Sequence, residues 1–330
     1  MTAPPRYTFI IPTYRRPDMI GECLASLCAL DYPLDRIEVL VIDNGGENAT
    51  IAEAKPYQDR LALRYLVNRK NRGYGYSVNR GIVEARGDRM VLLNDDARPD
   101  PSMLRECDAV MDADPAIGCV GARAIEAGYQ ILGTEIGRIG PDGNISANFV
   151  IDCGEPIDVD HLYGFCYVFT RESVERSGVN DRTLLARPYS SGDRIETDHC
   201  LNVKKAGFRV VYNPRMVARH LAKPRPDMSE ESLAWSRNAI RNTLYLYLKH
   251  FGVFGREAAA LRLTFLRHVG IVSALTRPSR DNVGYFLSGQ RARASAYWHY
   301  VLYLLGTTSD CPDAVRRLVA QSEADPGDAR

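Results

Sequence analysis

Short runs of almost uninterrupted apolar residues, at 7–11, 37–42, 63–67, 90–93 and 117–121, punctuate the first third of the chain. Between them lie segments with helical periodicity. In the first, opened by Pro17, the apolar residues Ile20, Cys23, Leu24, Leu27 and Cys28 recur at three and four residues, the spacing of one helix face. Segments 74–85 and 101–113 read the same way. Strands this apolar are buried on both faces, and strands alternating with helices join through right-handed crossovers. The expected architecture is therefore α/β, a mainly parallel sheet flanked by helices. The runs end on Thr13, Asp43, Asn68 and Asp96, which such a sheet gathers at one edge, where open α/β sheets bind ligands.

The run 90–93 breaks into Asn94, Asp95 and Asp96. Carboxylates at the end of a central strand need a partner, because buried charge is costly. A divalent cation carrying a phosphate fits that need. Asp100, just before Pro101, also fits a helix cap, and Asp43 fits a strand-to-helix cap as well as a ligand contact. No G-x-G-x-x-G follows the first strand and no G-x-x-x-x-G-K-[ST] occurs, which argues against a dinucleotide dehydrogenase and a P-loop NTPase.

The net charge of +1 gives no support for nucleic-acid binding. The 330 residues exceed what one core usually holds, so one large domain with an appendage is expected. Eight cysteines, at 23, 28, 107, 119, 153, 166, 200 and 311, show no C-x-x-C spacing and read as thiols of a reducing compartment. With no apolar leader at residues 1–7 and no long apolar stretch, a cytoplasmic protein is expected.

From about residue 124 the rhythm is lost. A turn at 140–143, a strand at 162–169 buried on both faces and a helix at 171–177 stopped by Gly178 should form the other wall of the cleft. Residues 187–194 have the composition of a substrate loop or a plain solvent loop. A helix from 195 to Gly207, carrying Glu196 and Asp198 in its first turn, leads to a strand at 208–212. Acidic residues also favour a helix N-terminus on electrostatic grounds alone. After Pro226 the chain reads as helical, with Leu233, Ile240, Leu244, Leu248 and Phe251 on one stripe. The stretch 257–305 is apolar but carries Arg262, Arg267, His268, Arg291 and Arg293, which suits packing on the catalytic domain or a second subunit and leaves open peripheral contact with the inner face of a membrane. Residues 322–330 read as a disordered tail.

The series formed by residues 9–17, 41–45, Asn71-Arg72-Gly73, Asn79-Arg80-Gly81-Ile82, Gly87-Asp88 and 92–96 resembles the ordered motifs of family-2 glycosyltransferases. The resemblance covers residues 7 to about 250 and implies a GT-A fold, a nucleotide-diphosphate-sugar donor (UDP-, dTDP- or GDP-linked), a hydroxyl acceptor, Mn2+ or Mg2+, and inversion at the anomeric carbon. Pro99-Asp100-Pro101, Arg241-Asn242 and residues 245–250 look most like the rhamnosyltransferase and galactofuranosyltransferase group. By this resemblance Pro12, Thr13, Tyr14 and Arg16 line the nucleoside pocket, Asp43 bonds the base, and Asn71, Gly73, Asn79, Asn94 and Asp95 complete the donor site. Asp96 and His220 would hold the metal, Asn94 standing where the family's D-x-D has its first Asp. Aligned on Cys200-Leu201, Glu196 takes the place of the catalytic base and Asp198 a supporting acidic position. No Q-x-x-R-W occurs; the family's polymerising synthases carry it, so a single addition is implied. The domains expected are 1–225, split at 123 into donor and acceptor halves, a helical region at 226–321, and the tail. A catalytically silent sugar-nucleotide binder and a nucleotidyltransferase are the competing classes.

Overall fold

The computed structural model describes residues 4–46, 48–181, 183–184, 194–221, 230–256, 275 and 280–306. The chain runs β1 (Tyr7–Thr13), α1 (Pro17–Cys28), β2 (Ile37–Asp43), α2 (Asn48–Ala54), β3 (Ala62–Val67), α3 (Tyr74–Glu84), β4 (Arg89–Leu93), β5 (Ala97–Pro99), α4 (Met103–Met111), β6 (Ile117–Glu126), β7 (Ile157–Asp158), β8 (Cys166–Thr170), α5 (Arg171–Ser177), α6 (Ile195–Lys205) and β9 (Arg209–His220), then α7 (Glu230–Phe251) and α8 (Arg280–Leu304). The expected loop at 187–193, the boundary at 225, Arg262, Arg267, His268, Cys311 and the tail lie outside the described residues, as does the side chain of Leu233.

One nine-stranded sheet has the order β3-β2-β1-β4-β8-β6-β9-β5, with β7 also on β9. Strands β3, β2, β1 and β4 are parallel, as the apolar runs require. Beyond β4 the sheet is mixed, a correction to the mainly parallel arrangement: β8 is antiparallel to both β4 and β6, and β5 and β7 are antiparallel to β9. The reason is the connection. Parallel neighbours need a crossover, usually helical, whereas the stretch 127–165 between β6 and β8 contains only β7 and irregular chain, so it imposes no direction.

Strand pleating sorts the core. Phe9, Ile11, Val39, Val41, Val91 and Leu93 face α1 and α4, whereas Ile10, Leu40, Ile42, Met90 and Leu92 face α3, α5 and α6. Helix α3 lies so close to the sheet that a Cβ on Gly81 would stand 2.3 Å from Ile10 Cγ2. A third cluster joins Leu184 and Ile195 to Leu244, Leu246 and Leu248 of α7 and Ala296 of α8. The seven described cysteines are free thiols, and no described helix is long and apolar enough to cross a membrane.

Candidate active site

The order β3-β2-β1-β4 reverses direction at β1, so the crevice opens beyond the C-terminal ends of β1 and β4. There the Thr13 hydroxyl donates to Asp95 Oδ2 at 2.8 Å, and Arg16 forks across the acidic pair, Nη1 to Asp95 Oδ1 and Nη2 to Asp96 Oδ2, each at 2.8 Å. Arg16, expected in the nucleoside pocket, sets its guanidinium against both acids. The two carboxylates differ in environment. Burial pushes Asp95 up to about 6. Burial acts on Asp96 in the same sense, but the nearby His220 imidazole and the Arg16 guanidinium outweigh it and hold the group at about 2.

His220 reaches Asp96 through strand register. On β9 it lies beside Glu126 of β6 and beside Ala97 of β5, the residue after Asp96, and the Leu221 amide donates to the Asp96 carbonyl at 3.0 Å. The expected strand ended at 212. The observed strand absorbs Pro214 in a register shift and resumes at Val217, restoring the inward face with Ala218 and His220. His220 Nδ1 lies 2.7 Å from Glu126 Oε2, to which the Tyr163 hydroxyl also donates at 2.9 Å. Glu126 thus holds the proton on Nδ1 and turns Nε2 toward Asp96 Oδ1, 3.5 Å away. That oxygen is buried and lacks a hydrogen-bond partner. Among the described residues no three His, Cys, Asp or Glu side chains converge as a metal cage. One carboxylate oxygen and one imidazole nitrogen therefore fit an oxygen-preferring cation that takes its remaining ligands from a diphosphate and water.

On the nucleoside side, Pro12 pairs with Ile42 in the sheet, and the ring of Tyr14 lies against Gly45, where a Cβ would come within 3.0 Å. Asp43 is fully buried; its Oδ1 accepts from the Gly45 and Gly46 amides in the turn after β2, ahead of α2, and its Oδ2 from Tyr65 at 2.6 Å. Asn71 Oδ1 accepts from Asn44 and from the Gly73 amide, and Gly73, at φ 88°, starts α3. Asn79 does not join them: its buried amide is paired with Asn180, so it ties α3 to the chain after α5.

Across the crevice, Glu196 is half-buried in the first turn of α6 and packs over Gly164, where a Cβ would lie 3.1 Å from Glu196 Oε2. Its charge acts on Tyr74, whose hydroxyl donates to Asn94 Oδ1 at 2.9 Å, and on Tyr163, which bonds Glu126. The two tyrosines bond separate parts of the site, Tyr74 to Asn94 and Tyr163 to Glu126, and both feel the Glu196 charge. Asp198 points elsewhere. It is fully buried and accepts from Lys249 at 3.0 Å and His250 at 2.7 Å, so a catalytic place for its carboxylate is corrected to a structural one. Tyr74, Glu126 and Tyr163 were not foreseen. Tyr163 stands in a visible aromatic run, but it meets His220 from the irregular chain ahead of β8, a contact no local pattern announces.

A sequence profile described as glycosyl transferase family 2 matches residues 8–178, just over half of the chain. The chain belongs to that family. Glycosyltransferase AglE of Haloferax volcanii is 30% identical over 222 residues, 67% of this chain and 68% of AglE. An N-acetylglucosaminyltransferase of Azorhizobium caulinodans is 26% identical over 256 residues, 72% of this chain and 61% of that protein. The chain spans about three-fifths of the N-acetylglucosaminyltransferases it matches. Among solved structures, the mannosyltransferase PcManGT of Pyrobaculum calidifontis, in complex with GDP-Man and Mn2+, superposes with a TM-score of 0.54 at 18% identity, covering 91% of this chain and 88% of that one. A fragment of TarS from S. aureus gives 0.61 at 12% identity, covering 88% and 80%. At these identities the likeness shows the fold, GT-A. The profile stops at residue 178, so Glu196, Asp198, His220 and α7 lie outside the family match and stand on geometry.

Proposed function

We propose that this family-2 glycosyltransferase moves a single sugar from a nucleotide-diphosphate sugar to a hydroxyl acceptor, with inversion and with Mn2+ or Mg2+. The observation that carries this reading is the buried, unpartnered Asp96 Oδ1 facing a histidine whose other nitrogen is already held by a carboxylate. Asp96 and His220 would hold the cation, which supplies positive charge to the departing diphosphate. Glu196 accepts the acceptor's proton, so that the oxygen attacks from the face opposite the leaving group. Thr13 and Arg16 orient the acidic pair, and Tyr74 holds Asn94 toward the sugar side.

The donor sugar is not set by the narrower likeness to rhamnosyltransferases and galactofuranosyltransferases. The residues behind that likeness do scaffold work here: Asp100 accepts from the Ser102 amide and hydroxyl ahead of α4, and Lys249 and His250 bind Asp198. The matched proteins are named for N-acetylglucosamine and mannose transfer, so UDP and GDP conjugates are the first donors to try. Calorimetric titration of UDP, dTDP and GDP into wild type and Asp96→Ala, with and without Mn2+, tests the site. Binding should need the metal in wild type and fall at least tenfold in the variant. Equal, metal-independent affinity in both proteins would remove the metal from the mechanism.

A further inference from the structure

Helix α7, which lies beyond the family match, holds the helix that bears Glu196. The Lys249 ammonium stands 2.8 Å from Asp181 Oδ2 and 3.0 Å from Asp198 Oδ1; its side chain is 2% exposed and both carboxylates are fully buried. His250 Nε2 donates to Asp198 Oδ1 at 2.7 Å, and the Tyr245 hydroxyl donates to Asp181 Oδ2 at 2.7 Å. The same helix sends Arg241 to the Thr183 carbonyl at 3.0 Å, and its Thr243 accepts from Arg194 Nε at 3.1 Å. These contacts fall on the chain at 181–184 and at 194–198, on both sides of residues 185–193.

Buried ion sets are poor stabilisers, because desolvation offsets most of their attraction and apolar side chains of similar size pack as well. What they add is direction, since each bond fixes a donor against an acceptor. Residues 196 and 198 leave a helix about 200° apart. Fixing Asp198 toward α7 therefore turns Glu196 toward Gly164 and the crevice.

We propose that Lys249 and His250 are positioning residues for the transfer step, acting through Asp198 to set the rotation of α6 and with it the aim of Glu196. The C-terminal helix is then a working part of the catalytic unit and not an appendage. The proposal rests on the reading of Glu196 as the base.

The test uses the full chain, measuring kcat and KM for transfer, donor affinity by calorimetry, and thermal unfolding. His250→Phe keeps an aromatic ring and donates nothing to Asp198; kcat should fall about tenfold with donor KM and affinity within twofold of wild type. His250→Gln, which restores an N–H near the position of Nε2, should recover part of that loss. The double variant Lys249→Met with Asp198→Asn removes one charge of each sign and should still fold and bind donor, with kcat lower by about 10²-fold. Wild-type kcat in His250→Phe, or a loss matched by an equal loss of donor affinity, overturns the proposal, and the histidine variants decide it if the double variant does not fold. Undiminished turnover in Glu196→Gln would instead overturn the base assignment.

Discussion

Glu196 and Asp198 share the first turn of α6, and their surroundings divide the work between them. Glu196, half-buried over Gly164, is the proposed base, so Glu196→Gln should lower turnover by roughly 10² to 10⁴-fold while donor affinity stays near wild type. Steady-state kinetics beside calorimetry reads both, and undiminished turnover would return the role to another carboxylate. Asp198 cannot meet an acceptor. Burial alone would raise its pKa, but Lys249 and His250 reverse the shift and hold it at about 2. Because that value lies below the one for the unfolded chain, near 3.8, the interaction stabilises the fold above about pH 4 and is lost as pH falls toward 2. Asp198→Asn should therefore unfold more easily in urea at pH 7 and show a flatter decline between pH 4 and 2. Parallel stability curves for the two proteins would contradict this.

Among the elements, α3 and α8 set opposite demands on glycine. At Gly81 an added methyl would meet Ile10 of β1, so Gly81→Ala should cost about 1 to 2 kcal/mol, overpacking outweighing the gain in helix propensity. Among the described residues nothing stands within 4 Å of a Cβ at Gly284 of α8, and Gly284→Ala should stabilise by up to about 1 kcal/mol. Chemical unfolding of the pair should give opposite signs. The same contrast between local and remote causes explains what could be read in advance. The parallel half was legible because each strand is an apolar run and each helix a three-four pattern. Asp96 stood out as charge at the end of such a run. The mixed half was not legible, since β8 takes its direction from a connection without helical rhythm and β5 has only three residues. Glu126 meets His220 only because β6 and β9 pair across a register shift that no local pattern announces.

For the whole molecule, the boundary expected at residue 225 divides groups that the structure joins. A chain ended there keeps all nine strands and the two clusters that sandwich the sheet, but loses Tyr245, Lys249 and His250 from Asp181 and Asp198. It should still bind nucleotide diphosphate, while transfer falls about 10²-fold or more and hydrogen exchange in α6 accelerates. Transfer at the wild-type rate would make α7 and α8 an appendage after all. The clamp also imposes a schedule. During synthesis Asp181 and Asp198 leave the ribosome roughly 50 to 70 residues ahead of Lys249, a delay of several seconds at ordinary elongation rates. Through that interval the nascent chain can complete its donor pocket while α6 still lacks its anchor. On the proposed role of α7, efficient sugar transfer would begin only once that helix has emerged and docked, so an interrupted translation product would hold donor while using it slowly.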